Sequence, residues 1–137
     1  KKNRYVGAKI RTGSFTSTDI ELQSVEMDGS LTQTPEFPYN WMYDGSRPQM
    51  PGFEMEITCK SLFLIFKDSG EMDVGKADVF VNDVYCMTAD PHKNNWLHCN
   101  AVLLFWETES RSHKVRITVT EEDQNKKFTI LGFGYTI

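Results

Sequence analysis

The stretch that decides the fold runs from Ala77 to Thr88, ADVFVNDVYCMT, where two strand-like runs flank Asn82 and Asp83. Both turn residues tolerate a positive φ, so the segment predicts a β-hairpin, although Asn-Asp is a weaker turn signal than Asn-Gly. Outward from this hairpin, apolar and polar residues alternate from Phe53 to Thr58 and from His113 to Thr120. This period of two is typical of half-buried strands.

Further strands are predicted on both sides of these segments, and no helical period of useful length occurs. The additional strands are Ser61 to Lys67 (SLFLIFK), Ala101 to Trp106 and Phe128 to Tyr135, with weaker candidates at Tyr5 to Arg11 and Asp19 to Met27. Seven or eight short strands separated by turn residues favour an all-β fold, an antiparallel β-sandwich. We expect a single domain over residues 1–137, with an irregular part (1–40) and regular strands (41–137).

Composition narrows the possible functions. The 137 residues carry a net charge of −4 without a basic run, which argues against nucleic-acid and anionic-membrane partners. No apolar stretch approaches the roughly 18 residues of a membrane helix. The chain begins at Lys1 with no signal-peptide pattern, and we interpret it as an excised domain or mature fragment.

The three cysteines leave two alternatives open. An odd count argues against a complete disulfide framework, so either all three are thiols or Cys86 pairs with Cys99. Zinc ligation by these two cysteines with His92 and His98 is a weaker hypothesis, because the usual short ligand spacings are missing. The simpler interpretation is that both histidines are solvated loop residues.

Catalytic motifs are not apparent in the sequence. There is no Gly-x-Ser-x-Gly nucleophile elbow and no phosphate-binding glycine loop. The chain is therefore predicted not to be an enzyme on its own. A catalytic arrangement would have to be assembled in space, for example from Ser46 with His92 or His98.

Two segments combine aromatic rings with hydrogen-bonding side chains, as sugar-binding sites do. Loops of this composition on a rigid sandwich are a reasonable ligand site. The first, 38–47 (PYNWMYDGSR), supplies Trp41, Tyr43, Asp44 and Arg47; the second, 90–98 (DPHKNNWLH), supplies Asp90, His92, Asn94, Asn95 and Trp96.

Structural roles are the alternative for the aromatic residues. Trp41 could anchor the N-terminal segment onto the core, and Trp96 could cover a sheet edge. Trp106 follows Phe105 in an apolar strand, so one of the two must face away from the core. We expect Trp106 to pack in the core or at a domain interface. Tyr85 is a minor binding candidate.

Charged residues near strand ends are interpreted as solvated. This applies to Lys67, Asp68 and Arg116, and to the charge-balanced turn at 121–127.

Several motifs in the second half of the chain carry a resemblance to a known family. They are GKADVFVN (75–82), the loop around Trp96, HKVRI (113–117), FTILGFGY (128–135) and, upstream, NWM (40–42). Together they resemble the jelly-roll β-sandwich of the galactose-binding-like group that accompanies SGNH/GDSL-type hydrolases of gut and rumen Firmicutes. The resemblance covers residues 40–137 and concerns mainly structural motifs, so it speaks more for the fold than for a ligand.

The SGNH nucleophile motif Gly-Asp-Ser is not matched. This chain has Asp28-Gly29-Ser30-Leu31, with the first two letters exchanged. If the parent protein is a hydrolase, the resemblance therefore implies an active site outside these residues.

The resemblance implies an extracellular, non-catalytic carbohydrate-binding module that brings an attached enzyme to plant cell-wall polysaccharide. No cofactor is expected, apart from a structural calcium between loops as in many jelly-roll modules. Oxygen ligands are available for it at Asp19, Glu21, Glu26 and Asp28. The alternative is a structural domain that packs on an SGNH-type esterase and has no ligand of its own.

Overall fold

A computed structural model describes residues 5, 7–18, 40–48, 50–93 and 99–137. Within them every pairing between strands is antiparallel. A 3₁₀ turn covers Glu121–Asp123. The strands are β1 (Lys9–Arg11), β2 (Thr16–Thr18), β3 (Asn40–Tyr43), β4 (Phe53–Lys67), β5 (Ala77–Val81), β6 (Val84–Ala89), β7 (Cys99–Val119) and β8 (Phe128–Thr136). The predicted all-β, antiparallel sandwich is confirmed.

Two long strands, β4 and β7, run through both layers of the sandwich. The first half of β4 pairs with β1 on one side and with the end of β7 on the other. Beyond β7 the layer continues with β5 and then β6. We call this layer sheet A. The second half of β4 pairs with the start of β7 on one side and with β8 on the other. Beyond β8 the layer continues with β3 and then β2. We call this layer sheet B.

The sequence predicted separate strands where the structure has single ones. Phe53 to Thr58 and Ser61 to Lys67 lie in the continuous β4; the strand predicted at 101–106 and all but Thr120 of the strand predicted at 113–120 lie in β7. The pairing register shifts between Cys59 and Ser61. A bulge bends a strand without ending it, so one strand serves both layers.

The buried side of β4 changes at this irregularity. Met55 and Ile57 are buried before it, and Leu62 and Leu64 after it. In a regular strand these two pairs would point to opposite faces. The shift in phase allows both halves of β4 to face the same core.

The predicted hairpin between β5 and β6 is confirmed. Asn82 and Asp83 have φ angles of 52° and 65°, as a two-residue turn with positive φ at both positions requires. The Asn82 side chain adds contacts to β7: its Oδ1 accepts from the Lys114 N–H at 2.9 Å, and its Nδ2 lies 3.0 Å from His113 Nδ1.

Aromatic rings join the two sheets. Phe53 of sheet A lies 5.0 Å from the ring of Trp41 and 5.7 Å from that of Phe133, both in sheet B. Tyr5 and Phe15 of the N-terminal part are also buried in this core. The core therefore includes residues from the part of the chain that the sequence predicted to be irregular. The predicted strand at Asp19 to Met27 lies outside the described residues.

Candidate functional site

The described loop parts of the two segments singled out for binding, 44–47 and 90–93, lie at the same end of the sandwich. At this end Tyr43 pairs with Phe128, and Lys67 pairs with Cys99. The start of β5 pairs there with the ends of β6 and β7. We call this the loop end; its described loops are 44–52 without 49, 68–76, 90–93 and 120–127.

Hydrogen bonds connect these loops to one another. The Tyr43 hydroxyl donates to the Gln124 carbonyl at 2.6 Å, and the Gly75 N–H donates to the Lys127 carbonyl at 2.9 Å. The Ser69 N–H donates to a carbonyl of the 90–93 loop at 2.8 Å. The loop end is thus a connected surface on a rigid scaffold, as ligand sites usually are.

Trp41 and Tyr43 are not exposed rings, because both side chains lie in the core. Trp41 is 8% and Tyr43 2% exposed. Alternation along β3 points both rings inward, where Trp41 packs on Phe53. Burial, followed by the negative charge of Asp44, raises the pKa of Tyr43. A sugar cannot stack on an indole that other rings cover, so the structural alternative for Trp41 is the one observed.

Asp44 and Arg47 are exposed at the loop end. The carboxylate of Asp44 accepts the Ser46 N–H at 2.9 Å, and hydrogen bonds from Ser46 lower its pKa. Arg47 reaches the Gly13 carbonyl with Nη1 at 3.4 Å. Both groups present a charged, oriented side chain to solvent.

Asp90 and His92 lie in a loop that docks on its neighbour. Asp90 Oδ1 accepts the His92 N–H at 3.0 Å, and His92 Nε2 lies 2.8 Å from the Glu71 carbonyl. His92 is exposed and Asp90 half-buried. The other predicted members of this segment, Asn94, Asn95 and Trp96, lie outside the described residues.

A cleft of about 440 Å³ opens at the loop end. Its walls combine hydroxyl, amide and carboxylate groups with apolar surface, as a site for a small polar molecule would. The lining residues are Ser14, Tyr43, Pro48, Met50, Gly52, Thr118, Val119, Glu121 and Gln124. Sequence reasoning missed most of these residues, because they come from three distant stretches of the chain, at Ser14, 43–52 and 118–124.

Two acids predicted to be solvated are buried instead. Asp68 is 4% exposed and accepts a hydrogen bond from Asn100 Nδ2 at 2.6 Å. Asp123 accepts the Lys76 N–H at 2.9 Å, and this bond is the main cause of its lowered pKa. Both carboxylates hold loops in place at the loop end.

Sheet B carries an exposed apolar strip on its outer face, which we call the Trp106 strip: Phe63, Leu103 and Trp106. Trp106 is 81% exposed, and the other two are 40% and 46% exposed. Phe63 pairs with Leu103 on one side and with Gly134, which has no side chain, on the other. Phe105 instead packs on His113 with ring centroids 4.1 Å apart. The prediction that Phe105 and Trp106 face opposite ways is confirmed.

The cysteines are thiols in the structure. Cys86 Sγ donates to the Leu104 carbonyl at 3.6 Å, and no disulfide joins it to Cys99. Burial raises the pKa of the Cys59 and Cys86 thiols. Across the described residues no three His, Cys, Asp or Glu side chains are grouped as metal ligands. His98 and the four acids considered for calcium lie outside those residues.

No helix in the described part of the chain has the length and apolarity needed to cross a membrane.

Comparison with known proteins gives structural neighbours only. No protein-family model matches the chain, and no similar curated protein is found. A crystal structure of a two-domain esterase (CEX) active on acetylated mannans is similar, with a TM-score of 0.61 and 13% identity. A structure described in the same words, co-crystallised with mannopentaose, has a TM-score of 0.55 and 14% identity.

These matches cover nearly all of this chain but only part of each esterase chain. Each covers 99% of this chain, but only 35% and 38% of the esterase chains. At such low identity the likeness shows the fold alone: the chain has the fold of a β-sandwich that makes up about a third of those esterases.

Proposed function

We propose that this β-sandwich is a non-catalytic accessory module of an extracellular carbohydrate-active enzyme, and that it binds a plant cell-wall polysaccharide. The observation that carries the proposal is the loop end, where Asp44 and Arg47 of one predicted segment and Asp90 and His92 of the other lie on the same end of the sandwich as a cleft of about 440 Å³. The likeness to one part of a two-domain esterase supports the accessory role. Any catalytic activity would then belong to the remaining part of the parent protein.

The described groups at the loop end suit the recognition of hydroxyls. The carboxylates of Asp44 and Asp90 are oriented by neighbouring backbone N–H groups. Arg47 adds donors, and ionised carboxylates add acceptors for sugar hydroxyls. In this proposal Trp96, three residues beyond the docked 90–93 loop, supplies the apolar ring.

The benefit of such a module is proximity. Holding an enzyme beside a polymer raises the effective concentration of substrate without any new chemistry. A net charge of −4 fits a neutral glycan better than an acidic one.

Affinity electrophoresis tests the proposal. The chain is run through native gels that contain xylan, β-glucan, xyloglucan, acetylated and deacetylated mannan, or pectin, beside Trp96→Ala and Asp90→Ala variants. Retardation of the wild-type chain, weakened in these variants, supports carbohydrate binding at the loop end. Migration unaffected by every polysaccharide, with a folded circular-dichroism spectrum, overturns it.

A second candidate function is supported by the Trp106 strip. Flat, contiguous apolar surface is typical of protein interfaces. We propose as the alternative that this strip packs against the catalytic domain of the parent enzyme. The test compares the full parent protein with its Trp106→Asp variant. A lower melting temperature and weaker domain association in the variant support docking, whereas no change in either contradicts it.

A further inference from the structure

We propose that the outer face of sheet A holds a second carbohydrate platform, distinct from the loop end, on which a neutral sugar ring stacks against Tyr85. We call this surface the Tyr85 face: Asp78, Phe80, Tyr85, Thr88 and Arg116. The inference rests on the proposed function, since it assigns a further site to the same ligand class.

Strand pairing places these side chains in adjacent rows. Arg116 pairs with Glu54 on one side and with Phe80 on the other, and Phe80 pairs with Tyr85. Because directly paired residues share a face of the sheet, the four side chains form one row across four strands. Asp78 and Thr88, paired with each other, belong to the next row on this face.

A bulge in β6 brings Tyr85 and Thr88 to the same side. The pairing with β5 shifts between Val79 and Phe80, so β6 contains one extra residue there. Residues three apart would otherwise point to opposite faces. Bulges often re-aim a side chain at a functional surface, and here the bulge adds a hydroxyl group beside the ring.

Hydrogen bonds hold the Tyr85 ring in position. Thr88 Oγ1 donates to Asp78 Oδ1 at 2.7 Å, so the Tyr85 hydroxyl, 2.7 Å from Thr88 Oγ1, is the donor in that contact. The Tyr85 ring meets Phe80 edge-on, with centroids 6.0 Å apart. Nevertheless Tyr85 is 56% exposed. A ring already fixed in place loses little further entropy when a ligand stacks on it.

Arg116 is held on the same surface, in contrast to the prediction of a solvated charge. Its guanidinium carbon lies 4.1 Å from the centre of the Phe80 ring. In this position the N–H groups at its edge can donate to hydroxyls, while Asp78 retains lone pairs that accept them. Donor, acceptor and apolar ring are then within one small area.

The charges of the face indicate a neutral ligand. In the row of Arg116, strand β1 adds Arg11 opposite Glu54. Together with Asp78 the face has two acids, Asp78 and Glu54, and two bases, Arg11 and Arg116. Their charges cancel, so the surface does not favour an anion or a cation. A neutral pyranose has an apolar C–H face for Tyr85 and hydroxyls for the polar side chains, and we commit to a neutral oligosaccharide as the occupant.

Variants of the full chain test the platform by affinity electrophoresis in the polysaccharide that retards wild type. Tyr85→Ala is expected to weaken binding about tenfold or more, the usual effect of removing a central contact. Val84→Ala is the matched control, because Val84 is exposed next to Tyr85 but is not part of the row. Tyr85→Phe keeps the ring and is expected to retain most of the affinity.

A titration of the ¹⁵N-labelled wild-type chain with mannopentaose, xylopentaose and cellopentaose does not depend on any variant folding. Shift changes at the amides of Phe80 and Tyr85 support the platform. Shift changes confined to the loop end overturn the platform and leave the proposed function intact. The same holds if Tyr85→Ala binds as tightly as wild type. No change with any sugar and no retardation in any gel overturn both.

Discussion

The phenolic oxygen of Tyr5 accepts a hydrogen bond from the backbone N–H of Phe133 at 2.8 Å, across 128 residues of sequence. The two rings also meet edge-on, with centroids 5.8 Å apart and an angle of 82° between their planes. Tyr5 is 3% exposed. The N-terminal part of the chain is therefore joined to the last strand through the core and contributes to it directly.

Replacing Tyr5 by Phe is expected to destabilise the protein by about 1–3 kcal/mol, because the Phe133 N–H loses this partner in a buried place. Urea unfolding followed by circular dichroism measures the change. Tyr85→Phe, which removes an exposed hydroxyl, is the control and should cost less than about 0.5 kcal/mol. Equal losses in the two variants would contradict the role assigned to the buried hydrogen bond.

The two described tryptophans are expected to differ in their effect on stability. Trp41→Ala leaves a cavity among Tyr5, Phe53 and Phe133 and should cost about 3–5 kcal/mol. Trp106→Ala removes an exposed side chain, and its effect should stay within about 0.5 kcal/mol. Guanidinium unfolding of the isolated chain measures both. A large loss in Trp106→Ala would mean that this indole is covered.

The hairpin turn offers a stabilising substitution. Asp83 has a φ of 65°, a conformation that is easier for glycine than for residues with a Cβ. Asp83→Gly creates the preferred Asn-Gly turn and should stabilise by up to about 1 kcal/mol. The exposed contact of Asp83 with Lys114 at 3.8 Å contributes little.

Thermal unfolding of Asp83→Gly and Asp83→Ala checks this expectation. The alanine variant should melt below wild type, since it keeps a Cβ without the tolerance of Asp for positive φ. A glycine variant that melts no higher than the alanine variant would argue against the turn geometry.

Asp123 should make stability depend on pH. The Lys76 N–H, with a smaller contribution from the Lys126 charge, lowers the pKa of Asp123 in the folded protein. The ionised form therefore adds stability above the unfolded-state pKa of about 3.9. This contribution is lost as the pH falls through the lower folded-state pKa.

Asp123→Asn should consequently be less stable than wild type by about 1–2 kcal/mol at pH 7. The difference should shrink below about pH 4, where wild type loses the same charge. Urea unfolding from pH 3 to 7 measures it, with the exposed Glu122→Gln as control. A difference that is constant over this range would point to packing as its cause.

The sequence predicted those features that depend on near neighbours. The Asn82-Asp83 turn and the alternation of Val115, Ile117 and Val119 determine the hairpin and its adjoining strand, and both are observed. The break predicted within β4 is not observed, because a bulge at Cys59 and Ser61 has no residue signature of its own.

Features that depend on distant partners were beyond sequence reasoning. Polar neighbours suggested that Trp41 was a surface residue, but its pairing with Ile130 places it inside. The buried carboxylate of Asp123 is explained by Lys76, 47 residues away. The Tyr85 face depends on an extra residue in β6, and only the register of that strand against β5 reveals it.

The position of β8 has a consequence for synthesis on the ribosome. This strand lies between β3 and β4 in sheet B, yet it is made after both. Until Phe128–Thr136 has emerged, β3 and the second half of β4 have exposed edges with unpaired N–H and C=O groups, which invite pairing with other chains. During synthesis these strand edges must therefore be kept from pairing with other chains. Sheet B is complete only when β8, its central strand, has been made.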